Sequence, residues 1–171
     1  MKHEALIAID PGVRSGYAVL SIESEPRLLF AGTANLSRRD ADNSPSHLVE
    51  VARDRTINEF GLSLVSGVVE DQFLGRNPAT AIKIGRNSGR WEEACRRLHM
   101  DVIFIKPASW QFAQLHGLIP PGRSVKSAAR KRAASQFCEL AYHRKLPQDA
   151  ADAACMGRFA AINATQQRLP I

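Results

Sequence analysis

The order of apolar segments predicts an α/β fold, a five-stranded mixed sheet flanked by helices. Three observations lead there. Residues 5–33 hold three short apolar runs punctuated by turn residues, the pattern of consecutive strands. Two further apolar runs, 64–70 and 101–105, each follow a stretch with helical spacing. Beyond them come two more helical stretches, so the strands form one sheet with helices on its faces.

Each element has its own signal. Residues 5–9 are a short apolar run that stops at Asp10-Pro11-Gly12, a strand entering a turn. Residues 16–22 follow closely enough to pair antiparallel with it, and 27–33 make a third strand. The stretch 37–45 is polar and loop-like. From Ser46 on, Leu48, Val49, Ala52, Ile57 and Phe60 mark an amphipathic helix. Residues 64–70 read as a buried strand. Pro78 suits a first helical turn and opens a helix to about residue 99. Strand 101–105 closes at Lys106-Pro107. Residues 124–143 are helical and heavily basic, and Pro147 introduces a last helix with Ala153, Met156, Phe159 and Ala160 on its apolar side.

At 171 residues the chain is expected to be a single domain, 1–171, large enough to bury its own core. Cys95, Cys138 and Cys155 are odd in number and form no C-x-x-C pair. This argues against disulfides and a structural zinc site and for buried thiols in a reducing compartment. No apolar run approaches the ~20 residues that span a bilayer, and the N-terminus leads straight into a strand. The expected location is cytoplasmic. Lys and Arg number 23 against 17 Asp and Glu, a net charge of +6, which suits a polyanionic partner. The five histidines lack metal-ligand spacing, and neither a Walker-type phosphate loop nor a G-x-S-x-G elbow is present.

The chemistry is carried by acids. Asp10 ends the first strand and Glu70 the fourth, while Asp149 and Asp152 lie three apart on one helix face. Singly, each has an ordinary explanation: a turn residue, a strand end, a helix cap, a surface charge. Jointly, they reach one sheet rim if the first and fourth strands are neighbours and the last helix packs over them. Carboxylates so gathered repel one another unless a divalent cation neutralises them. Magnesium prefers oxygen ligands and keeps waters. Two such ions about 3.5–4 Å apart would activate a water and stabilise a leaving 3′ oxygen, which is phosphodiester hydrolysis.

Three segments, in order along nearly the whole chain, resemble the RuvC family of Holliday junction resolvases. The stretch from Ile7 through Asp10-Pro11-Gly12 to Gly16-Tyr17 and Val19 is similar to its first motif. Val69-Glu70-Asp71-Gln72-Phe73 resembles the second, with the residues from Arg76 to Gly85 fitting the helix that follows. Gln148-Asp149-Ala150-Ala151-Asp152-Ala153-Ala154 resembles the C-terminal motif. The resemblance implies an RNase H-like fold, a homodimer, and two magnesium ions per site, with manganese able to substitute. It implies paired symmetric nicks in a four-way DNA junction and makes Asp10, Glu70, Asp149 and Asp152 the metal ligands. It also places Phe73 where an aromatic stacks on a base near the junction centre; a core Phe at a strand end is the alternative. Gly85 and Gly89, four apart on the helix from Pro78, belong by resemblance to the dimer interface, or else to ordinary packing within one subunit.

One departure stands out. The family commonly carries Pro-x-x-x-Lys after the fifth strand, where this chain has Pro107-Ala108-Ser109-Trp110-Gln111. Gln111 can hydrogen-bond a phosphate but cannot offset its charge. A second family lysine maps to Lys126, a catalytic candidate. The departure suggests a divergent branch, perhaps one encoded by a phage. Arg123, Lys126, Arg130, Lys131 and Arg132 crowd the start of the basic helix, and Arg76, Lys83, Arg86 and Arg90 form a second set. Both sets suit DNA phosphates, though such runs are commonly solvated faces. Trp91 and Trp110 read as packing residues. Three other readings remain open: a related nuclease acting on flaps, forks or RNA; a non-catalytic binder of branched DNA; and an actin-like nucleotide binder, disfavoured by the missing phosphate loops.

Overall fold

A computed structural model describes residues 3–36, 41–71, 78–119 and 127–167. Its strands are β1 (Glu4–Asp10), β2 (Arg14–Ser21), β3 (Leu28–Asn35), β4 (Ser63–Glu70) and β5 (Asp101–Ile105). They form one sheet in the order β3-β2-β1-β4-β5. The β1–β2 and β2–β3 pairs are antiparallel, while β1–β4 and β4–β5 are parallel. Short links favour hairpins and helical crossovers give parallel neighbours, so the sheet is mixed, as the element order predicts.

The helices are α1 (Pro45–Phe60), α2 (Pro78–Arg97), α3 (Pro107–Leu115), α4 (Ser127–Tyr142) and α5 (Gln148–Gln167). Strand alternation divides the core between the two faces of the sheet. Ala5, Ile7, Ile9, Val19 and Val69 pack with Val49, Trp91 and Cys95 of α1 and α2. Leu6, Ala8, Ala18, Leu20 and Val68 pack with residues of α3, α4 and α5. Cys95, Cys138 and Cys155 are free thiols in these cores, as expected for small apolar side chains.

Two elements differ from the sequence reading. The sequence reading names no element over 107–115; Pro107 starts α3 there rather than merely closing β5. On α1 the inward stripe is Val49, Ala52 and Thr56, while Ile57 and Phe60 are exposed. Thr56 is accommodated because its hydroxyl donates to the Ala52 carbonyl at 2.6 Å, so the polar atom does not go unpaired inside. No described helix is long and apolar enough to cross a membrane.

Candidate active site

The same alternation that divides the core aims the acids. Asp10 lies two residues beyond Ala8, and Glu70 two beyond Val68, so both side chains share the face covered by α5. The parallel register aligns Ala8 with Val68 and Ile9 with Val69. One more step brings Asp10 beside Glu70. On the other flank Asp10 pairs with Gly16 of β2. There the start of α5 presses so close that a Cβ on Gly16 would coincide with the Asp149 carbonyl. Only glycine permits that approach, and it brings the first turns of α5, with Asp149 and Asp152, over the rim.

Carboxylates from β1, β4 and α5 thus lie near enough to sense one another's charge. The Asp10 carboxyl is pushed up to about 8, first by burial, then by the charges of Glu70, Asp152 and Asp149. Asp152 is pushed up to about 7, again by burial first and Glu70 next. Desolvation and like charge both disfavour the ionised form. Lys131 of α4 pulls both values back in part.

Two cations flank the less buried member. Arg14 Nε lies 3.7 Å from Asp149 Oδ2, and Lys131 Nζ lies 4.0 Å from Oδ1. Gln148 donates through Nε2 to the Lys131 carbonyl at 2.9 Å, tying α4 to the start of α5. Glu70 is buried and accepts a 2.9 Å hydrogen bond at Oε1 from the indole N–H of Trp110.

The turn after Asp10 is braced from the opposite face. Asn87 of α2 donates to the Gly12 carbonyl at 3.1 Å, and the Ser15 hydroxyl donates to the same carbonyl at 2.8 Å. Trp91, one helical turn beyond Asn87, donates its indole N–H to Ser15 Oγ at 3.1 Å. Both tryptophans are therefore packing residues, as expected, and also hydrogen-bond donors, which a buried indole requires.

The donor set, carboxylate oxygens alone, is of the kind a hard divalent cation takes. As the side chains stand, no group of three acidic, histidine or cysteine residues among those described forms a ready chelate. Asp149 is turned toward Arg14 and Lys131.

The remaining predicted site residues are dispersed. Gln111 is half-buried on α3, beside Trp110 in sequence, and Arg130 is exposed on α4. Phe73, Arg76, Arg123 and Lys126 lie outside the described residues. Reading the sequence did not single out Arg14, although it falls within the first motif. Nor did it reveal the Trp110–Glu70 bond, which joins residues 40 apart and leaves no local trace.

The sequence matches no protein-family model and no curated protein. Solved structures do match. A T. thermophilus RuvC in complex with a Holliday junction substrate superposes with a TM-score of 0.70 at 20% identity, over 96% of this chain and 97% of that one. A second Thermus thermophilus RuvC structure gives 0.63 at 21% identity, covering 95% and 96%. The yeast mitochondrial Holliday junction resolvase Ydc2 gives 0.53 at 13% identity, covering 98% and 85%. The strand order, the flanking helices and these superpositions lead to one conclusion: the chain has the RNase H-like fold of the RuvC resolvases.

Proposed function

We propose that this chain is a metal-dependent, structure-selective DNA endonuclease that resolves four-way junctions by paired, symmetric nicks. The observation that carries the reading is the convergence of Asp10, Glu70, Asp149 and Asp152 on one face of the sheet, where burial and mutual repulsion raise the proton affinity of Asp10 and Asp152. Such a cluster is costly for a fold without a cationic ligand, and groups displaced in this way concentrate at functional sites. The RuvC–junction complex among the structural neighbours supports branched DNA as the substrate.

In this reading the four acids hold two magnesium ions, with manganese able to replace them. When bound, the ions supply positive charge to the scissile phosphate and the leaving 3′ oxygen. The chain's own groups do the rest. Asp10 is fixed by its strand and by the braced turn, so its carboxylate needs little reorganisation. Lys131 is close enough to the cluster to meet an incoming phosphate, and Arg130 continues the basic face of α4. Gln111 of α3 is assigned an uncharged hydrogen bond to the DNA on the family resemblance. On the family resemblance Lys126 serves catalysis, Phe73 stacks at the crossover, and Arg76 and Arg123 bind phosphates.

Symmetric cutting calls for two sites related by a two-fold axis. Among the described residues, nothing lies within 4 Å of a Cβ built on Gly85 or Gly89. The small-residue stripe of α2 is therefore open rather than packed within its own subunit. We assign it to a homodimer interface.

The test is cleavage of a synthetic four-way junction with magnesium, beside flap, fork and linear duplex. The junction should be nicked in preference. Asp10→Asn should bind it with unchanged affinity and nick it at least a thousandfold more slowly; an undiminished rate contradicts the role given to Asp10. Gln111, neutral where the family carries lysine, favours one second reading, a non-catalytic binder of branched DNA. Tight binding without cutting under any divalent ion would select it.

A further inference from the structure

The reading of the site as a divalent-metal centre leaves one buried side chain without a part in it. Trp110 is 2% exposed, and its only polar atom is aimed at a proposed ligand. Helix α3 begins directly after β5, whose last residue, Ile105, is registered against Glu70. The fourth residue of α3 is thereby brought back over the end of β4. Its ring is held in the core that includes Val68, Ile105, Leu115, Ala151 and Cys155. So clamped, it presents Nε1–H to Glu70 Oε1 at 2.9 Å.

An indole N–H can only donate, so Oε1 must be an acceptor, and the orientation of the carboxylate is set by a group that cannot swing away. The donor is also neutral. A lysine or arginine in its place would hold the carboxylate equally well but would repel an arriving divalent cation and compete with it for oxygen. Neutral donors behind acidic ligands avoid this, and partners of that kind typically govern metal affinity by ~10–100-fold.

We propose that Trp110 is a positioning residue for the metal centre, fixing the Glu70 carboxylate through an uncharged, buried hydrogen bond. This rests on the metal-site reading above and goes beyond it, because a merely structural Trp110 would satisfy its N–H on Glu70 without influence on metal affinity.

Trp110→Phe keeps an aromatic ring and removes the donor. Calorimetric titration of the DNA-free protein with Mn2+ should show affinity about tenfold weaker in the variant. Junction nicking should need correspondingly more magnesium and recover its rate when magnesium is raised. A folded Trp110→Phe chain with unchanged Mn2+ affinity overturns the proposal.

A second measurement needs no variant to fold. The chain has two tryptophans, hence two indole N–H resonances in 15N-labelled protein. The one from Trp110 should move as Mg2+ saturates the site, while that of Trp91 stays. Saturable binding with both resonances still refutes the positioning role. If the unmodified protein binds neither ion, the metal-site reading itself fails; if it binds them and never nicks the junction, the nuclease reading fails while the Trp110 proposal is still decided by the affinities and resonances.

Discussion

Burial, and after it the neighbouring like charges, push the Asp10 carboxyl up from 3.8 to about 8. Across that window the folded chain binds more protons than the unfolded one, so stability falls as pH rises. The contribution is fully present below the unfolded value of 3.8, declines above it and is gone past about 8. Asp152, raised to about 7, acts in the same direction. The metal-free protein should therefore melt higher at pH 5.5 than at pH 8.5, by roughly 5 °C or more. Saturating magnesium should remove most of the difference, and Asp10→Asn should raise the melting temperature of the metal-free form at the alkaline end. Calorimetric scans at the two pH values check all three. A flat profile without metal would mean that neither burial nor the neighbouring charges raise these carboxyls in the folded chain.

Among the elements, α5 is the one most tightly constrained. Gly16 lets its first turn touch β2, and a Cβ on Gly157 would run into Leu20 and Ala8. Its alanines at 150, 151, 153, 154, 160 and 161 lie fully or nearly buried. Gly16→Ala should shift the start of the helix and carry Asp149 and Asp152 out of register. The expected cost is about 1–3 kcal/mol of stability, with nicking lost even at temperatures where the variant remains folded; denaturant unfolding and junction cleavage read the two effects. Five strands and four of the five main helices were legible in the sequence because each has a clear period or a turn at its end. Helix α3 was not, since nine residues are too few for a period to stand out and Pro107 suits the end of a strand as well as the start of a helix. The acids could be gathered from strand ends and helix spacing. Their partners could not: Trp110, Asn87 and Arg14 reach the site through tertiary contacts that no local pattern encodes.

At the scale of the whole molecule, on the proposed function the net charge of +6 would act on association with DNA rather than on folding. Arg130→Ala and Lys131→Ala should each weaken junction binding and lower the salt slope of log K by about one unit, if each side chain contacts a phosphate. Binding isotherms over a range of sodium chloride concentrations would show it, and an unchanged slope would mark either residue as a solvated charge. The open stripe on α2 makes a separate prediction. Replacing Gly85 and Gly89 by Gln should leave the monomer folded, since neither new side chain meets a described neighbour, yet turn a dimer into a monomer by sedimentation. On the proposed function, cleavage would then lose its pairing and leave single nicks in place of paired ones.

The dependence of the acid cluster on α5 has a consequence for biosynthesis. Two of the carboxylates, and the inner cover for the other two, belong to the last element that the ribosome makes of those described. Until α5 is made, Asp10 and Glu70 lack the two acids of that helix. On the proposed function, a nascent chain could gather its four acids into one site only once α5 has been made and laid on the sheet.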